Sequence, residues 1–134
     1  MTAIRRVTSP AAPEPPPERW SNCLLAGGIA YISGMVARGD DVRELAGKDE
    51  YEQAKIIFAK IKGLVEAAGG AMSDIVKITV FVTNIRNNVK VWAARREFFT
   101  GNFPASTLVE VRALAAPEIL VEIEAVAHIG QGAR

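Results

Sequence analysis

The chain predicts an α+β fold, a single mixed β-sheet with two helices on one face. Three observations carry this expectation: a glycine-turn hairpin near the N-terminus, an alternating strand enclosed by two helix-patterned segments, and a last strand with one apolar stripe. The 134 residues, with 16 Lys+Arg, 15 Asp+Glu and 49% apolar residues, describe one domain, 1–134. Folding a chain of this size removes roughly two-thirds of its accessible surface, so the core needs no disulfide or metal staple.

The elements follow in order. Ile4 to Val7 reads as an edge strand and runs into a proline-rich connector, together residues 1–19. Its prolines at 10, 13, 15, 16 and 17 remove the N–H donors that a helix or central strand requires, and no further repeat marks a docking motif, so it reads as a spacer. Cys23 to Ala26 and Ile29 to Gly34 are strands joined by Gly27-Gly28, as a two-residue hairpin turn with positive φ demands. Segment 38–48 holds Gly39, Asp40, Asp41 and Gly47 without periodicity and reads as a solvated loop bordering a site. Asp49 followed by Glu52 resembles a capping box, and Ala54, Ile57, Phe58, Ile61, Leu64, Val65 and Ala68 then recur at helical spacing up to Gly69-Gly70.

The alternation from 75 to 82 places Val76, Ile78, Val80 and Val82 on one face of a central strand. A second helix, capped by Asn87 or Asn88, carries Val91, Trp92, Arg95, Phe98 and Phe99 and is closed by Gly101 and Pro104. Strands over 107–112 and 120–129, separated by a turn with Pro117, complete a β-β-β-α-β-α-β-β order. Right-handed crossovers place both helices on one face. The other face carries Glu122, Glu124, Val126 and His128 of the last strand and stays bare. A half-apolar bare face predicts self-association into a symmetric oligomer.

Inventory excludes several chemistries. One cysteine, Cys23, and one histidine, His128, supply neither a disulfide nor a four-ligand zinc site, and no nucleophile elbow accompanies the histidine. Cys23 has no neighbouring base and reads as a buried hydrophobe. Neither glycine-rich phosphate-binding motif follows a strand. No apolar run approaches the ~20 residues of a membrane span. With no N-terminal apolar run and a single cysteine, a cytoplasmic protein is expected. A scattered net charge of +1 argues against nucleic acid as a partner. There remain Glu122 and Glu124, two carboxylates on one face of a strand. Repulsion and partial burial at a subunit boundary would raise the pKa of one and let it exchange protons with a bound water; the alternative is a solvated or salt-bridged pair.

The same segments resemble a family. Ile32-Ser33-Gly34, Ala67-Ala68-Gly69, Asp74 to Val82, Phe103-Pro104-Ala105 with Val109-Glu110-Val111, and Leu120 to Ala127 together look like the RidA/YjgF family, formerly labelled endoribonuclease L-PSP. The resemblance implies a chorismate-mutase-like fold and a homotrimeric barrel with a small-molecule ligand in a cleft between subunits. It also implies cofactor-independent hydrolysis of enamines and imines to a 2-keto acid and ammonia. Glu122 matches the glutamate that handles the water, and Ser33 and Gly34 match the cleft wall.

The family's arginine clamp for a substrate carboxylate is missing. Ser106 stands in its place after Pro104-Ala105, followed by Thr107, with Leu108 where a cysteine is frequent and Trp20 where a tyrosine is frequent. This points to an arginine-less branch with a shifted substrate, in which the Ser106 and Thr107 hydroxyls orient the ligand and Arg112 or Arg38 is a replacement cation. The alternative is a non-catalytic trimer that binds a small metabolite; RNA cleavage is disfavoured, because there is no basic stripe.

Overall fold

In the computed structural model, residues 3–38 and 49–132 are described; most of the predicted loop 38–48 therefore lies outside the described residues. Six strands, β1 (Arg5–Val7), β2 (Cys23–Ala26), β3 (Ile29–Met35), β4 (Ile75–Val82), β5 (Ala105–Glu110) and β6 (Val121–His128), form one sheet in the order β1-β2-β3-β6-β4-β5. Two helices accompany it, α1 (Glu50–Ala67) and α2 (Asn88–Arg95). All pairings are antiparallel except β4 with β5, which α2 joins by a crossover. The α+β mixed sheet is as predicted.

Local chemistry sets the ends of the elements. Gly27 and Gly28 take φ of 57° and 79°, the double positive φ that the hairpin turn needs. Asp49 caps α1, its Oδ1 accepting from Glu52 N at 2.9 Å. Gly69, at φ 97°, ends the helix by entering the left-handed region. Asn87 precedes α2 without a side-chain cap; its Nδ2 instead donates to buried Glu50 at 2.8 Å. Strand β5 begins at Ala105, directly after Pro104 and two residues earlier than the apolar pattern suggests, because its parallel pairing with β4 starts at Lys77↔Ala105.

One expectation is corrected. Val76 does not join Ile78, Val80 and Val82 in the core. A register shift between Ile75 and Lys77 inserts an extra residue, so Ile75 is buried and Val76 is pushed to solvent.

The core lies between the sheet and α1, which packs on β3 and β6 and is flanked by α2. Ile57, Phe58, Ile61, Leu64 and Val65 of α1 meet Ile78, Val80, Val82, Val121 and Ile123 of the sheet, all fully buried. Phe58 also meets Phe98 at a tilt and Phe99 edge-to-face beyond α2. The proline-rich connector is tied down within its own chain: Val7 and Ala12 are buried, and Arg6 pairs with Glu14 at 2.6 Å. A Cβ at Gly63 would come within 2.6 Å of Ala11 Cβ, so the mid-helix glycine makes room for the connector to lie on α1. The loop before β6 is held by buried Gln53, whose Nε2 donates to Glu118 O and whose Oε1 accepts from Leu120 N, each at 2.9 Å. No helix among the described residues is long and apolar enough to cross a membrane.

Candidate active site

Alternation along β6 sends Val121, Ile123, Ala125 and Ala127 into the core and turns Glu122, Glu124, Val126 and His128 to the helix-free face. In β3, Ile32 pairs with Ala125 and Met35 with Ile123, so Ser33 and Gly34 together stand opposite the single residue Glu124. This bulge brings both residues beside the carboxylate pair. A Cβ at Gly34 would lie 2.8 Å from Glu122 Cδ and 3.0 Å from its Cγ. The absent side chain is what lets the Glu122 carboxylate rest against β3. Burial, and then the like charge of Glu124, push the Glu122 carboxyl above the ordinary glutamate value. Gly34→Ala is expected to fold, because the displaced atoms end a flexible side chain, but to move the carboxylate. A drop of at least tenfold in any Glu122-dependent turnover, with the melting temperature little changed, checks this.

Ser33 anchors the adjoining segment: its Oγ donates to Ser21 O at 2.5 Å and its N–H to Asn22 O at 2.9 Å. Asn22 is buried and gathers the connector, its Nδ2 facing Ala12 O, Pro13 O and Glu14 Oε2 at 3.0–3.3 Å, while its Oδ1 accepts from Trp20 Nε1 at 3.2 Å. Half-exposed Trp20 is thereby fixed at the rim of a pocket of about 410 Å³ on the helix-free face. Ser33, Tyr31, Lys77, Thr79 and Glu124 also line it.

Strand β5 divides the remaining expected residues. In its parallel pairing with β4, Ser106 lies beside Ile78 and Leu108 beside Val80, on the helix-bearing side, whereas Thr107 lies beside Thr79 on the bare side. Thr107 Oγ1 accepts from Lys77 Nζ at 2.7 Å. Thr107 does not itself line the pocket but is bonded to Lys77, which does, and it points to the opposite side of β5 from Ser106. Ser106 and Glu122 lie on opposite faces of one sheet, and one copy of the chain does not bring them together. Arg112 is exposed in the connection after β5, and Arg38 lies past the end of β3, its carbonyl accepting from Lys60 Nζ. Neither makes a polar contact with Ser106 or Glu122 among the described residues.

The guanidinium that does reach Ser106 belongs to Arg95, the last residue of α2, whose Nη1 donates to Ser106 Oγ at 3.0 Å. Burial, and then neighbouring Arg96, lower its pKa from the ordinary arginine value. Sequence reading places Arg95 on the second helix but gives it no part in the site, since a basic residue at a helix C-terminus is adequately explained by the helix dipole. Cys23 is fully buried and its thiol is pushed up to about 11, chiefly by desolvation, which suits an inert packing residue.

A family model described as Endoribonuclease L-PSP matches residues 10–129. The chain belongs to the RidA/YjgF family. Among its relatives in the family is a protein named 2-iminobutanoate/2-iminopropanoate deaminase from Dermatophagoides farinae, 31% identical over 96% of this chain and 99% of that one. A crystallised protein of unknown function from Pseudomonas aeruginosa is 43% identical, with 98% of this chain and 96% of that one covered, and superposes with a TM-score of 0.88. A Rid-family protein of unknown function from Yersinia pestis is 33% identical, with coverage of 95% and 100% and a TM-score of 0.86.

Proposed function

We propose that this Rid-family chain hydrolyses a small imine or enamine to a carbonyl compound and ammonia, in a cleft between copies of a homotrimer. The observation that carries this reading is the Glu122 carboxylate, raised in pKa and seated where Gly34 has no side chain. An enamine first tautomerises to the imine, its β-carbon gaining a proton as the nitrogen gives one up; water then adds to the C=N carbon as Glu122 accepts its proton, and that proton is passed to the nitrogen. Collapse of the resulting carbinolamine moves the hydroxyl proton to nitrogen through Glu122, forms C=O, breaks C–N and releases ammonia. A carboxyl whose pKa lies nearer neutrality than usual serves both the acceptance and the return. No metal or organic cofactor enters these steps.

Support for the deaminase chemistry comes from the Dermatophagoides farinae relative, and support for a multi-chain cleft from the placement of Ser106 and Glu122 on opposite sheet faces. The helix-free face also exposes Leu24, Tyr31 and Val109, which a second copy would cover. Ser33, Gly34, Trp20 and Thr107 are assigned to the wall on the Glu122 side, and Ser106 and Leu108 to the wall from the neighbouring copy. Arg112 and Arg38 are assigned no contact.

The test generates imines in situ with an amino-acid oxidase and compares semicarbazide trapping with and without the protein. Faster loss of trappable imine is expected. Tight metabolite binding with no acceleration across the amino-acid panel would replace this reading with the second one, a non-catalytic binding trimer, which is favoured by serine at 106.

A further inference from the structure

We infer that Arg95 and Ser106 form a carboxylate-recognition pair that holds the anionic end of a small 2-oxo or 2-imino acid. The inference rests on the hydrolase reading above and adds to it the residue that supplies the cation. Arg95 reaches from the end of α2 to the helix-bearing side of the edge strand β5, where Nη1 donates to Ser106 Oγ at 3.0 Å. That bond spends one of five N–H donors on a neutral acceptor and leaves the charge unmatched. No carboxylate pairs with Arg95 among the described residues. Its Nε is buried without an acceptor. A half-buried guanidinium with no counter-ion, a second arginine beside it in Arg96 and an orphaned N–H is an arrangement short of one anion.

The geometry selects the anion. A planar guanidinium fork matches the two oxygens of a carboxylate, and the Ser106 hydroxyl, which accepts from Arg95, keeps its own proton to donate to the same ligand. A phosphate dianion fits less well, because Arg95 sits at the C-terminal end of α2, where the helix dipole is negative. Leu108, two residues along the same side of β5, offers an apolar wall to a short alkyl chain. Ser106 is exposed on the sheet edge, so the pair opens toward the copy that would carry Glu122.

Isothermal titration of the full-length protein with 2-oxobutanoate and with its neutral counterpart 2-oxobutanamide tests this. The wild type is expected to bind the acid at least tenfold more tightly than the amide. Arg95→Gln should remove that preference and leave amide binding unchanged, and Arg95→Lys should restore part of it, since an ammonium supplies charge without the fork. Equal binding of acid and amide by the wild type, no binding of either, or unchanged acid binding by a folded Arg95→Gln protein would overturn the assignment; the first two readings need no variant. If the acid binds through Arg95 while imine loss is not accelerated, the hydrolase reading fails and the recognition pair stands.

Discussion

Glu122→Gln is expected to lower imine hydrolysis by about 10²- to 10⁴-fold, the contribution typical of a positioned proton-transfer group, with the fold retained. Glutamine keeps the shape that rests against Gly34 but neither accepts nor returns a proton. The same variant carries a pH signature. Burial and Glu124 raise the folded pKa of Glu122 above its ordinary 4.5, so the native chain binds this proton more tightly than the unfolded chain does. The associated stability is fully present below about pH 4.5 and is lost as pH rises through the folded value. Glutamine does not ionise. Chemical denaturation should therefore find the variant as stable as the wild type at about pH 4 and more stable at about pH 8. Equal turnover of variant and wild type would remove Glu122 from the mechanism; a stability difference that grows toward low pH would contradict its raised pKa.

Asp74→Ala is expected to destabilise the fold by about 3 kcal/mol, a fall in melting temperature of about 10 °C for a domain of this size. Asp74 is buried at 1% exposure, and its carboxylate accepts from three backbone N–H groups: Ala71 at 3.0 Å, Gly130 at 2.9 Å and Gly132 at 2.8 Å. It joins the turn before β4 to the segment after β6. Alanine leaves those donors without their acceptor in a site closed to water, which is costlier than the loss of an exposed bond. Asp74→Asn should lie between the two, because its single amide oxygen cannot serve donors on both sides. A melting temperature for Asp74→Ala within about 2 °C of the wild type would show that water or backbone movement satisfies these groups instead.

Much of the architecture was legible one residue at a time. Gly27-Gly28, the Asp49 cap, the helical spacing from Ala54 to Val65 and the alternation along β6 are local signals, each stating a backbone requirement that neighbours in sequence satisfy. The Glu122–Glu124 pair belongs with them, since period-two geometry alone puts two carboxylates on one face.

What the chain alone did not disclose depends on register and on contacts between distant segments. The bulge at Val76 reverses the side on which Ile75 and Val76 point, and the bulge at Ser33-Gly34 seats Glu122 against β3; both arise from pairing with β6, far along the chain. Ser106 and Thr107, adjacent in sequence and alike in chemistry, part to opposite faces once β5 pairs with β4. Arg95 met Ser106 only when α2 folded back beside β5, and nothing in a basic residue at a helix end announces such a meeting. Local propensity determined which strands and helices this protein has; the tertiary pairing decided which side chains share a site, because a strand shifted by one residue exchanges its two faces.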